Sequence, residues 1–300
     1  MENQNRRTFL KNSMITGSAF AIKNPVSLFN SIGGNSLKEI RIKKVDSNFE
    51  REPLIRPFGF KGGYMSEIWQ TVSYIKSNSG NHQIGLCTQN VLWSDANVFS
   101  SNSEAAGNSL MYAVTEFALQ LIKGHAFYSP VDLLDKILPE VYAYAKKITS
   151  NSNLRKTFAL NALVGVDNAL WLLYAQENGF KNFDQMIPDK YKPCLSYHHE
   201  NAAAIPLMAY NIPIDEISEA VNQGYFFMKI KIGQPGTQEE MLNKDKARLS
   251  AIHSAIGNVR TKYSKDGKLP YYFDANGRYE KKETLMRLLD FAKKIGAFDQ

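Results

Sequence analysis

Phe226-Phe227-Met228-Lys229-Ile230-Lys231-Ile232-Gly233 and, further on, Leu269-Pro270-Tyr271-Tyr272-Phe273-Asp274-Ala275-Asn276-Gly277 decide how the chain is to be read. Side chains alternate across a strand, so Lys229 and Lys231 share one face while Met228, Ile230 and Ile232 share the other. The apolar face of a parallel sheet must meet its helices. The two lysines then point away from those helices, which in a barrel means inward. Two ammonium groups ~6.6 Å apart along a strand repel at low dielectric, which lowers at least one pKa and suits a general base. A wet, lysine-studded edge strand gives the same pattern. Asp274 stands where the second strand ends, followed by Asn276 and Gly277. Ligands gather at the C-terminal ends of βα strands, and a carboxylate there suits a hard cation such as Mg²⁺. Asp and Asn-Gly are also strong turn formers.

The periodicity around these runs alternates strand and helix. Ala204 to Tyr210 predicts a strand, Ile214 to Gln223 a helix and Tyr225 to Ile232 a strand. Thr237-x-x-Glu240 is a capping box opening a helix to Ile256. Leu269 to Asp274 then predicts a strand, and Glu280 to Ile295 a helix stopped by Gly296. Repeated βα units of this spacing imply a parallel sheet with helices outside it. Upstream, Leu37 to Val45 and Ile84 to Trp93 predict a small antiparallel sheet, with Pro57 to Tyr64 as a mobile loop between them. Helices follow over Ser103 to Lys123, from Ser129-Pro130 to about Ile148, and from Leu154 to Asn178 with Gly179 as the stop.

Three features together resemble the enolase superfamily, in its mandelate racemase and muconate lactonizing branch. Lys229-Ile230-Lys231 is similar to that family's K-x-K, and Asp274-Ala275-Asn276 to its D-x-N. Ala162 to Trp171, ending in Ala169-Leu170-Trp171, resembles the helix that closes its capping domain. The resemblance implies an α+β capping domain over residues 37–192 and an incomplete (β/α) barrel, the first three βα units of a TIM-like fold, over residues 193–300. It implies proton abstraction alpha to a carboxylate with Mg²⁺ stabilising the enediolate. Lys231 would be the base, Lys229 its pKa-lowering partner, Asp274 the first metal ligand and Asn276 a substrate contact. Lys61 and Tyr64 fall where the family drops a specificity loop over the barrel mouth. The substrate would be a small carboxylate such as a sugar acid, dehydrated first of all, with racemisation, epimerisation or cycloisomerisation as alternatives, and a homo-oligomer is compatible with the family.

The family takes two further acidic metal ligands from its fourth and fifth strands. Only the 26 residues from Ala275 to Gln300 follow Asp274, whereas a complete barrel takes ~250 residues. The chain therefore reads as C-terminally truncated, and a non-catalytic binding or vestigial module is the alternative from another class.

The first 36 residues read as an address and linker. Arg6-Arg7-Thr8-Phe9-Leu10-Lys11 precedes a modestly apolar run from Met14 to Ile22, which resembles a twin-arginine export signal and implies a periplasmic protein. Residues 1–48 hold eight Lys or Arg against three acids, leaving the rest of the chain nearly neutral within the overall +7. A nucleic-acid protein needs its basic face on the folded part, so no nucleic-acid partner is expected. No run of ~18 uninterrupted apolar residues is present, so no membrane span is expected. Cys87 and Cys194 form no metal-binding pair, and His198-His199-Glu200 reads as a polar loop.

Overall fold

The computed structural model describes residues 37–60, 63–195 and 197–300, so Arg6, Arg7 and Lys61 lie outside the described residues. Strand β1 (Ile40–Phe60) pairs antiparallel with β2 (Gly63–Ser77), and β2 with β3 (His82–Gln89). The short β4 (Ala126–Phe127) completes a sheet in the order β3-β2-β1-β4. Two helical turns, Val91–Ser94 and Ala96–Ser101, lead into helix α1 (Glu104–Ile122), followed by α2 (Pro130–Ile148) and α3 (Lys156–Asn178). Ser103 caps α1 through its hydroxyl, Pro130 opens α2, and Gly179 ends α3 in the left-handed region at φ 72°.

The loop expected over Pro57 to Tyr64 is instead the far end of a hairpin. Phe58 pairs with Met65 and Gly59 with Tyr64, after a register shift between Pro53 and Phe58. The arm is held by side chains across the strands and, toward its end, by a small apolar cluster in which Met65 and Leu92 are buried with Leu54, Phe58 and Ile68 against them. Arg51 Nη2 and Glu67 Oε2 are 2.7 Å apart, and the Phe49 and Trp69 rings stack with centroids 4.3 Å apart.

Helix α3 is long and apolar enough to cross a membrane, at a mean hydropathy of 1.4. Its place is the middle of the capping core, where Phe158, Ala162, Val166, Ala169, Leu170 and Leu173 are buried. Strand β3 lies on this helix almost backbone to backbone, because Gly85 faces Gly165.

A second core joins the βα units. Strands β5 (Leu207–Met208), β6 (Met228–Lys231) and β7 (Tyr271–Asp274) run parallel in that order. Helices α4 (Ile214–Asn222), α5 (Gln238–Ile256) and α6 (Lys282–Lys294) connect or follow them. Met228, Ile230 and Ile232 are buried against Leu242, Leu249, Ile252 and Leu288, so the apolar face meets the helices as the alternation requires. The capping box at Thr237 and Glu240 is complete. Strand β5 is shorter than the run Ala204 to Tyr210 predicts. Residues 201–205 are exposed and unpaired, and Pro206 brings no N–H to the ladder.

A Cβ at Gly85 would stand 1.9 Å from the Gly165 carbonyl oxygen and 2.4 Å from the Ala169 nitrogen. Gly85→Ala is therefore expected to destabilise the protein by about 3 kcal/mol, read by urea denaturation. A variant as stable as the parent would show that strand and helix are not packed at this distance.

Candidate active site

Register builds the site. In the parallel pairing of β6 with β7, Lys231 stands opposite Asp274 and Lys229 opposite Tyr272. All four side chains leave the sheet on the face turned away from the helices. Lys231 Nζ lies 2.7 Å from Asp274 Oδ2, and Lys229 Nζ lies 2.9 Å from the same oxygen. The Lys229 ammonium also sits 5.2 Å from the centroid of the Tyr272 ring. Lys231 donates a second hydrogen bond to Asn276 Oδ1. Asn276 N donates to Asp274 Oδ1 at 3.0 Å, closing a turn in which Asn276 and Gly277 take φ of 46° and 71°. Asn and Gly are the residues that accept this left-handed backbone at least cost. The D-x-N-G sequence is thus both turn and site.

Depth separates the two lysines. The Lys231 side chain is 5% exposed and that of Lys229 27% exposed. Burial pulls the Lys231 ammonium below the ordinary lysine value, with Asp274 opposing and the repulsion of Lys229 a lesser contribution. The bond to Asp274 pushes Lys229 up. Burial works to raise the Asp274 carboxyl, but the bonds from Lys231 and Lys229 and the Asn276 amide win and hold it at about 2.

A second buried carboxylate fixes the loops that follow the two strands. Asp245, on α5, accepts from Gly233 N at 2.6 Å and from the Tyr279 hydroxyl at 2.7 Å. Burial pushes its carboxyl up against these bonds. Gly233 sits at φ 86°, and its carbonyl accepts from Arg278 Nε at 3.3 Å and from the Tyr210 hydroxyl at 3.0 Å. Burial pushes the Tyr210 hydroxyl up to about 12. Sequence reasoning passed over Asp245, yet there was a signal: it occupies the stripe of α5 that also carries Met241, Leu249, Ile252 and Ile256, where an acid is out of place without partners.

Above the lysines opens a cavity of about 450 Å³. Its floor is Leu207, Lys229, Lys231, Asp274 and Asn276, and its roof comes from the capping domain through Phe58, Met65, Thr88, Asn90, Trp93 and Asn161. The hairpin end is stitched to the barrel side. Arg56 Nη1 donates to Glu216 Oε1 at 2.8 Å, and Asn211 Nδ2 donates to the Pro57 carbonyl at 2.8 Å. Tyr64 is half exposed with its ring over Gly59 and does not line the cavity, whereas Phe58 and Met65 of the same hairpin do. His198, His199 and Glu200 are exposed, with His198 Nε2 3.3 Å from Asp184 Oδ1.

The described donors do not by themselves make a Mg²⁺ site. Asp274 is the one carboxylate on the floor, and both of its oxygens already accept from protein donors. Among the described residues no three His, Cys, Asp or Glu side chains gather for a metal, while Mg²⁺ asks for near-octahedral oxygen coordination.

No protein-family model and no curated protein sequence matches the chain. Solved structures do match. One is a dipeptide epimerase from Enterococcus faecalis V583, complexed with Mg and L-Leu-L-Tyr, at 17% identity, TM-score 0.54, covering 85% of this chain and 58% of that one. Another is L-talarate/galactarate dehydratase from Salmonella typhimurium LT2, liganded with Mg and L-lyxarohydroxamate, at 20% identity, TM-score 0.55, covering 93% and 60%. A third is N-succinyl Arg/Lys racemase from Bacillus cereus ATCC 14579, at 13% identity, TM-score 0.54, covering 85% and 57%. These are enolase-superfamily enzymes, and the chain has their fold, a capping domain with the opening βα units of the barrel. It spans about three fifths of the length of the solved structures it matches.

The charge cluster has a signature in acid. Asp274 is depressed in the folded state, from an ordinary 3.8 to about 2. Its contribution to stability is present above pH ~4 and is lost as pH falls through the folded value. The stability gap between the parent and Asp274→Asn should close by about 2 kcal/mol between pH ~4 and ~2 in urea titrations. Parallel profiles across that window would remove Asp274 from the centre of the cluster.

Proposed function

We propose that this chain carries the base strand of an enzyme that removes the proton alpha to a carboxylate, with dehydration of a sugar acid as the first outcome and racemisation or epimerisation as the second. The observation that carries the reading is Lys231. It is a buried lysine at the C-terminal end of the central parallel strand, drawn below its ordinary pKa, at the floor of a cavity that two domains enclose. Catalytic bases work best when their pKa approaches the operating pH, and burial is the usual means of bringing a lysine there.

In the step assigned to these residues, Lys231 Nζ as the neutral amine takes the α-proton. The electron pair of the broken C–H bond moves into the carboxylate to give an enediolate. Lys229, kept charged by Asp274, meets the carboxylate oxygens where that charge grows. The enediolate electron pair then expels the β-hydroxyl, which leaves as water with the proton that the Lys231 ammonium gained in the first step, and that completes a dehydration. Return of a proton to the opposite face completes an epimerisation. Mg²⁺, present in solved neighbours, supplies Lewis-acid stabilisation of an enolate in general. The described residues bring together a single carboxylate, too few to hold such an ion. Two features support the reading independently: the roof contributed by the hairpin end, and the similarity in fold to enzymes of this chemistry.

The full protein, incubated in D₂O with D-galactonate, galactarate and N-acetyl-L-leucine, with and without Mg²⁺, is expected to exchange an α-proton on at least one of them by NMR. Lys231→Ala should slow that exchange at least ~10²-fold. Exchange at the parental rate in the variant overturns the base assignment. We also infer export through a twin-arginine route, on Arg6-Arg7-Thr8-Phe9-Leu10-Lys11. Replacing Arg6 and Arg7 together by Lys should leave the protein in the cytoplasmic fraction, and unchanged fractionation sinks the inference.

A further inference from the structure

We propose that the short basic hairpin between α5 and β7, residues 257–268, is an adsorption surface for anionic lipid, seating the protein on a membrane by the end of the sheet opposite the lysines. The inference is independent of the chemistry assigned to Lys231.

Arg260-Thr261-Lys262-Tyr263-Ser264-Lys265-Asp266-Gly267-Lys268 forms a built turn. Arg260 bridges antiparallel to Lys268, Thr261 N donates to the Gly267 carbonyl at 3.0 Å, and the Ser264 hydroxyl donates to the Lys268 carbonyl at 2.6 Å. Arg260, Lys262 and Lys265 are exposed. Tyr263 is 63% exposed, and its ring lies 4.5 Å from that of Phe226, on the chain leading into β6. The hairpin holds four cations against one acid, Asp266, whose Oδ1 accepts from the Lys268 N–H at 3.0 Å. It alone carries +3, whereas all residues beyond 48 together net +2. The positive charge of the folded part is thus concentrated at this turn.

Orientation follows from the strands. Both β6 and β7 run from the hairpin side toward Lys231 and Asp274, so hairpin and lysines lie at opposite ends of the strands, ~13 Å apart. The chain after α6 returns to the hairpin side, where Tyr271 N donates to the Gln300 carbonyl at 3.3 Å. Lys293 and Lys294, exposed in the last turn of α6, add two cations there, and the exposed Tyr225 stands next to Phe226. Charge complementarity asks for an anionic partner. A hairpin tip is convex, which suits a plane of headgroups, whereas nucleic acid is held in grooves that track a strand or by elements that enter a duplex groove. Tyrosine adds to the fit, since its ring and hydroxyl favour the boundary between headgroups and acyl chains. Each Lys or Arg near an anionic leaflet contributes about fivefold to partitioning, so three give about 10²-fold. A protein seated this way keeps the floor lysines on the side away from the lipid.

Sedimentation of the full protein with vesicles tests this. In ~0.1 M salt it should partition at least about tenfold more strongly onto phosphatidylcholine vesicles holding about 30% phosphatidylglycerol than onto phosphatidylcholine alone. Arg260→Gln, Lys262→Gln and Lys265→Gln combined should weaken that binding at least about tenfold. Lys43→Gln, Lys123→Gln and Lys136→Gln, at exposed positions of the capping domain, make the same change in net charge and should weaken it less than about threefold. If the two triple variants lose alike, net charge rather than the hairpin drives adsorption and the proposal falls. Equal binding to both kinds of vesicle, or binding to neither, overturns it as well. Tighter binding to mixed-sequence single-stranded DNA than to the anionic vesicles, at equal negative charge and in the same salt, also overturns it and makes the hairpin a nucleic-acid surface. Should the hairpin triple variant not fold, Lys262→Glu and Lys265→Glu taken singly must each weaken adsorption at least about fivefold, and parental binding by either sinks the proposal.

Discussion

Asp274 Oδ2 accepts from two lysines at once, and that shared oxygen is the constraint on which the βα half depends. A lysine as buried as Lys231 is tolerated only with its charge paired, since removing an ion from water costs several kcal/mol. The partner stands on the next strand, so the pairing requires one register: Lys231 beside Asp274. A slip of one residue would turn Asp274 toward the helices and Phe273 into the cavity. The same register lays Met228, Ile230 and Ile232 against α5 and α6. Packing and charge pairing therefore select one alignment, and neither is satisfied in any other.

Asp245 extends this order to the loops. It reaches the chain just after β6 through Gly233 and just after β7 through Tyr279. The Gly233 carbonyl in turn receives Arg278 and Tyr210. These groups come from helix α5 and from the chain following β5, β6 and β7, and the loop backbone between them has little freedom left. A base must stand within hydrogen-bond reach of the proton it takes, so the proposed role of Lys231 asks for bracing of this kind at the strand end.

What the sequence discloses follows from where each interaction lies along the chain. The long helices and the strands β6 and β7 were legible because their signals are local: Ser129-Pro130 opening α2, the capping box at Thr237, stops at Gly179 and Gly296, and period-two alternation in Met228 to Ile232. Lys231, Asp274 and Asn276 were legible as well, since residue type and strand-end position coincide. The hairpin arm was not. From Asp46 to Arg56 most side chains are exposed, so no apolar alternation marks the strand. Its support includes Arg51 with Glu67 and Phe49 with Trp69, pairs that become visible only once the register is known. The roof was hidden for the same reason. Thr88, Asn90 and Asn161 meet across α3 from positions some seventy residues apart, and none has a residue type that announces a site.

The two lysines differ in what a ligand must do to engage them. Asp274 is gripped on Oδ1 by the Asn276 amide and on Oδ2 by both ammonium groups. A carboxylate entering the cavity can draw Lys229 aside without unpairing Asp274, because Lys231 still holds it. Drawing Lys231 aside instead would break its bonds to Asp274 and Asn276 together, at the least exposed point of the cluster. On the proposed reading, the shallow lysine is the one that can turn toward a ligand while the deep one keeps its place. Their division of labour follows from depth on the strand, two residues apart, before any substrate arrives.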